Sequence, residues 1–124
     1  MSALGEIDAI TIDCADALGL ARFWAAVFGT EIESAVGDGP AYVDLLPLPG
    51  LPILRFQRVP ESKTVKDRVH LDVAVGDLED ACASIEALGG RRISAEPFAE
   101  YTYRWLVIAD PEDNEFCLVI RAGG

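Results

Sequence analysis

The chain carries a single histidine, His70, in the run RVHLDV, with Asp72 two residues further on. An imidazole beside a carboxylate can take up a proton and pass it on, because the carboxylate favours the charged ring. Read as a strand over Arg68–Val75, the run sends alternate side chains to opposite faces. His70, Asp72 and Ala74 then share one face, with Val69, Leu71, Val73 and Val75 on the other. The run Ile7–Cys14 (IDAITIDC) has the same design and puts Thr11 and Asp13 on its polar face. Asp13, His70 and Asp72 are therefore the candidate acid–base residues. Arg55 and Gln57, alternating with Leu54 and Phe56, join that face from another strand, and Cys117 joins it from the last. Tyr42, Tyr103 and Trp105 offer rings for stacking a flat ligand.

Each of these residues also has an ordinary structural use. His70 can be a hydrogen-bonded strand histidine, Asp13 and Asp72 solvated strand ends, and the rings plain strand aromatics. Cys117 suits a small buried hydrophobe, or one half of a Cys–His pair for which the sequence shows no oxyanion hole or orienting group. The cations Arg55, Arg58, Lys63, Lys66 and Arg68 are half of all ten Lys and Arg residues. They could steer an anionic ligand, but a solvated crossover paired with surface acids is the commoner arrangement.

The elements that must position these residues occur twice. After the first strand, Asp16 is an N-cap, and Leu20, Phe23, Trp24, Val27 and Phe28 make a helical stripe ending at Gly29. Strands over Glu31–Val36 and Ala41–Leu46 flank a GDGP turn, PLPGLP is a loop, and a strand resumes over Ile53–Val59. After Arg68–Val75, Asp77 caps a second helix through Leu88, closed by Gly89-Gly90. Strands at Arg91–Ala95, Tyr101–Ile108 and Glu115–Arg121 follow, the last two joined by DPEDN. A shift of 61 residues lays Asp16 on Asp77, Ala9 on His70 and Gly29 on Gly90. The order βαβββ therefore repeats: one domain over 1–124, with modules at about 5–59 and 68–122 and a crossover at 60–67. One helix covers only one face of each sheet, so a concave face is left for a ligand or partner.

Composition narrows the function. The 124 residues suffice for one real core. A net charge of −11 repels phosphate backbones, which argues against nucleic acid. No apolar run approaches the roughly 20 residues of a membrane span. The start, MSALGEIDAI, lacks the basic and apolar regions of a signal peptide, so the cytoplasm is the expected location. Three widely spaced cysteines, Cys14, Cys82 and Cys117, make neither a disulfide framework nor a thiolate zinc site.

The runs ITIDCADALGLARFWAAVFG, HLDVAVGDLEDACASIEALG and DPEDNEFCLV together resemble the vicinal oxygen chelate superfamily: glyoxalase I, extradiol dioxygenases, and fosfomycin- and bleomycin-resistance proteins. VPESKTVKDRVHLD looks most like its glyoxalase-like domain group. The resemblance implies an α+β fold of paired βαβββ modules with the sheet curved around a central cavity. It also implies a homodimer, as in many relatives. Metal-dependent members place ligands at positions that fall here on Ala9, approximately Gln57, His70 and Cys117. Only His70 is a standard ligand there; Ala9 has no donor, and Cys117 stands where glutamate is expected, with Glu115 two residues early on the same face. No metal or other cofactor is therefore expected. Two functions follow: a protein that binds a small organic ligand, as bleomycin-resistance proteins do, or a lyase or isomerase using His70 with Asp13 or Asp72.

Overall fold

The computed structural model describes residues 3–121, gathered into two compact units, one running up to Ser62 and the other starting at Lys63. The first contains β1 (Ala9–Cys14), α1 (Ala17–Phe28), β2 (Ile32–Val36), β3 (Tyr42–Leu45) and β4 (Ile53–Arg58). Its sheet runs β1-β4-β3-β2, with β1 parallel to β4 and the other pairings antiparallel. Asp16 starts α1 by accepting a hydrogen bond from the Gly19 amide at 3.0 Å. Gly29 ends it at φ 66°, a left-handed conformation that glycine adopts without a Cβ penalty.

The helix stripe is core. Leu20, Phe23 and Trp24 are buried, as are Val43, Leu45, Leu54 and Phe56 on the strands that α1 contacts. Phe23 meets Trp24 edge-on at 5.4 Å, and Phe28 stacks on Trp24 at 5.7 Å. Burial follows the alternation read from sequence: Leu54 and Phe56 lie in, while Thr11 and Asp13 are exposed.

The second unit contains β5 (Asp72–Ala74), α2 (Leu78–Ala87), β6 (Arg91–Arg92), β7 (Phe98–Glu100), β8 (Tyr103–Ala109) and β9 (Glu115–Arg121). Its sheet runs β5-β9-β8-β6, and β7 also pairs with β8. The parallel pairing of β5 with β9 repeats that of β1 with β4, so the two units share one topology in an α+β fold. Asp77 caps α2 by accepting from the Asp80 amide at 2.9 Å. Gly90 closes it in a space where a Cβ would stand 2.4 Å from the Ile85 Cγ2. Leu78, Cys82 and Ile85 bury against a sheet face whose own core is Leu106, Ile108, Phe116 and Leu118.

Strand boundaries differ from those the sequence predicts, by one or two residues in the first unit and more consequentially at three places in the second. Strand β5 begins at Asp72 rather than Arg68, and Val69 is 82% exposed instead of facing the core. The alternation before Asp72 has little to pair with: one bond, from the Cys117 amide to the Leu71 carbonyl at 3.0 Å, extends the ladder. The expected strand Arg91–Ala95 stops at Arg92 because Ser94 substitutes its hydroxyl for a backbone acceptor, taking the Val107 N–H at 2.9 Å. The Arg92 guanidinium holds the break, donating to the Ser94 and Ala95 carbonyls and to the Glu79 carboxylate. Beyond it the edge re-forms as β7, which the sequence reading lacks. The strand expected from Tyr101 starts at Tyr103, since Tyr101, at φ 53°, and Thr102 form the turn between β7 and β8.

The DPEDN turn is built around Asp110, which is 2% exposed. Its carboxylate accepts from the Glu112 and Asn114 amides at 2.9 and 3.0 Å and from the Asn114 side chain. Asp113 takes the left-handed position at φ 66°, as its short polar side chain allows. Among the described residues, no helix is long and apolar enough to cross a membrane.

Candidate functional site

In the second unit, the face of β5, β8 and β9 turned away from α2 carries Asp72, Tyr103, Trp105, Val107, Glu115, Cys117 and Val119. These residues line a pocket of about 620 Å³. His70 and, from the segment before it, Lys66 and Asp67 complete one side. Glu100 and Tyr101, at the β7–β8 hairpin tip, complete another. Phe98 stacks on Trp105 with ring centres 5.6 Å apart.

His70 Nε2 lies 3.4 Å from an Asp72 carboxylate oxygen, with both side chains more than half exposed. Asp72 is also the register partner of Cys117 across β5 and β9. The Cys117 thiol is pushed up to about 11, first by burial and then by the Asp72 charge and hydrogen bond. It is a neutral group near pH 7, not a ready nucleophile. The Cys82 thiol is likewise raised, chiefly by burial.

Two of the cations, Lys63 and Lys66, are already matched by acids. Lys66 donates to the Glu115 carboxylate, which raises the ammonium's pKa through that hydrogen bond and the charge of Glu115. Lys63 lies 3.9 Å from Asp67, and Asp67 also accepts the Glu115 amide at 3.2 Å.

The remaining sequence-identified residues stand in the first unit, on the face of its sheet away from α1. Strand register sets Thr11 opposite Arg55, Asp13 opposite Gln57, and Tyr42 opposite Gln57. Arg55 grips Asp44, its register partner on β3, through Nε at 2.8 Å and a second nitrogen at 3.0 Å. That two-point bond raises the Arg55 pKa and commits the guanidinium. The lining residues of the pocket all belong to the second unit: His70, Asp72, Tyr103, Trp105, Glu115 and Cys117 come together there, whereas Thr11, Asp13, Tyr42, Arg55 and Gln57 are not among them.

Sequence reasoning missed Asp44 and, in the pocket, Asp67, Glu100, Tyr101, Val107 and Val119. Val107 and Val119 follow from extending the alternation of Trp105 and Cys117 by one step. Asp44 shares a face with Tyr42 by the same rule. Tyr101 follows from the same alternation in the predicted strand Tyr101–Ile108, whereas Glu100 had no such signal, because β7 was not foreseen.

The model of the glyoxalase-like domain family matches residues 9–119, and the chain belongs to that family. Solved structures share the fold. A glyoxalase/bleomycin resistance protein/dioxygenase family enzyme from Burkholderia phytofirmans PsJN is 22% identical, with a TM-score of 0.67 over 92% of this chain and 97% of that one. The fosfomycin resistance protein FosX from Listeria monocytogenes is 18% identical, with a TM-score of 0.73 over 98% and 94% of the two chains. A mutant of FosX was solved with Mn(II) and 1S,2S-dihydroxypropylphosphonic acid. TioX from Micromonospora sp. ML1 is 17% identical, with a TM-score of 0.64 over 94% and 99%. No curated protein matches the sequence.

A metal is implied by the metal-dependent members of this fold, so the donors must be tested. His70, Asp72 and Cys117 bring one ligand atom each within 4.8 Å of one another, and Asp72 is a third donor beyond the two foreseen. The set mixes nitrogen, oxygen and sulfur, which suits a soft cation such as zinc rather than a hard oxygen-seeking one. A metal would also have to displace the Cys117 proton, at a cost that burial and Asp72 raise, and the thiol stands where those members offer a hard carboxylate. Ala9 contributes no donor at all. These residues do not fit the resident metal of the metal-dependent members.

Proposed function

We propose that this chain binds a small organic molecule in the pocket of the second unit, by contacts that need no metal. The observation that carries the reading is the pocket itself. Some 620 Å³ is bounded by rings (Tyr101, Tyr103, Trp105), apolar floor residues (Val107, Val119) and a few polar groups (His70, Asp72, Glu100). Small-molecule sites have this size and this mix of apolar wall with sparse polar anchors. FosX and TioX share the fold, which by itself fixes no ligand. The test is mass spectrometry of the native protein and of its denatured extract. A copurified organic molecule at a fixed ratio to the chain supports the reading. A ligand that stays bound after Trp105→Ala and Tyr103→Ala would move the site elsewhere.

A second reading, a lyase or isomerase, draws support from the 3.4 Å contact of His70 with Asp72 at the pocket edge. In it the imidazole takes a proton from the bound molecule and returns it at a different atom in an isomerase, or hands it to the group that departs as the neighbouring bond breaks in a lyase, while Asp72 orients the ring and offsets its charge. Asp13, on the first unit's sheet, carries no such contact with an imidazole. The two readings part on turnover: conversion of the bound molecule that His70→Ala abolishes while binding persists marks the enzyme, and binding with no conversion by either protein marks a binding protein.

A further inference from the structure

We infer that the molecule taken by this pocket is an organic cation with a flat aromatic body, such as a ring-bearing protonated amine or quaternary ammonium. The inference rests on the proposed binding role of the pocket and adds the charge and shape of its occupant. Four carboxylates, Asp67, Asp72, Glu100 and Glu115, line the cavity against one lysine, Lys66. Lys66 is held by Glu115, and Asp67 faces Lys63, so neither cation is free to meet an anion. Asp72 and Glu100 are what remain. Asp72 meets the half-exposed His70 and the neutral Cys117 thiol but no lysine or arginine, and Glu100 forms no ion pair among the described residues.

The rest of the lining points the same way. Tyr103 and Trp105 lie two residues apart on β8 and so project from one face, with Tyr101 at the hairpin tip beside Glu100. Ring faces attract cations, and the attraction grows as water is excluded. Phe98 stacks on Trp105 and limits how that ring can turn. Beneath, Val107 and Val119 offer apolar contact. An anion such as the phosphonic acid of the Listeria protein would meet two unmatched carboxylates here and no spare cation. A neutral ring would gain the stacking alone.

Calorimetric titration of the full chain with three probes of one shape tests this: 2-naphthylmethylammonium, 2-naphthylmethanol and 2-naphthoate at low ionic strength. The cation should bind saturably and at least about tenfold more tightly than the alcohol, and the carboxylate more weakly than either. Added salt should erode the cation's advantage and spare the alcohol. The double variant Asp72→Asn/Glu100→Gln should bring the cation down to the alcohol's affinity, with unfolding curves confirming that it is folded. Equal binding of naphthoate and ammonium, or a cation preference that survives the double variant, overturns the inference while leaving the pocket as a ligand site. Binding of none of the three overturns both.

Discussion

Asp72 and Cys117 stand directly opposite each other on the parallel strands β5 and β9, and the carboxylate adds to burial in holding the thiol protonated up to about pH 11. The pair thus sets a carboxylate beside a thiol that stays neutral and unreactive near pH 7. Alkylation of Cys117, followed by peptide mass spectrometry, should be slow at pH 8 and accelerate only as pH nears 11. Asp72→Asn removes one of the raising influences, so the thiol should react faster at pH 9 in that variant. Equal rates in both proteins would mean that the carboxylate does not act on the sulfur.

The same shift sets a sign for stability against pH. The folded thiol keeps its proton to about 11, from an ordinary value of 9.0. Between those values the unfolded chain has lost a proton that the folded one retains, so stability falls as pH rises through the window. Below 9 this contribution is flat. Denaturant titrations at pH 8, 9 and 10 should show the decline, and Cys117→Ala should flatten it.

Stability and binding should separate along the alternation of the second unit. Leu118 is fully buried under α2, whereas His70 is exposed. Leu118→Ala should cost about 2–5 kcal/mol as a core truncation, and His70→Ala less than about 0.5 kcal/mol. Urea unfolding measures both. A large loss for His70→Ala would make it a structural residue and remove it from the site.

Asp110 is the buried anchor of the DPEDN turn, accepting two amides and the Asn114 side chain. Asp110→Ala leaves those donors without an acceptor and should destabilise by about 1–3 kcal/mol. Asp110→Asn, which keeps one carbonyl oxygen, should recover part of that. Equal losses for the two would show that the hydrogen bonds are not what the turn depends on.

Because Ala9 supplies no donor and a metal would have to displace the raised Cys117 proton, purified protein should carry no stoichiometric manganese, iron, nickel or zinc, and chelators should leave its melting temperature unchanged. Elemental analysis giving about one metal per chain, removed together with stability, contradicts this.

How much was legible in the sequence follows from what each residue's position depends on. Local signals carried the helices: Asp16 and Asp77 cap, Gly29 stops α1, and apolar spacing picks the buried stripe. Alternation sets His70, Asp72 and Cys117 on one polar face, but it sets Thr11, Asp13, Arg55 and Gln57 there too, and those stand on the first unit's sheet and outside the pocket lining. What failed depends on partners distant in sequence. Val69 alternates like a strand residue but has nothing to pack against, and Ser94 breaks an edge by bonding to Val107, thirteen residues away. Arg55 looked available to a ligand because its grip on Asp44 exists only once β3 and β4 are paired.

The central claim is that the second unit's pocket is a binding site, and Trp105 is its most direct reporter. The chain has two tryptophans: Trp24 lies buried under the first sheet, and Trp105 lines the pocket. Titration with 2-naphthylmethylammonium, followed by the two indole N–H resonances, separates them. The account predicts a saturable shift of the Trp105 signal with that of Trp24 unmoved, and loss of the shift in Asp72→Asn/Glu100→Gln. A saturable shift of Trp24 alone, or no shift of Trp105 at probe saturation, contradicts it.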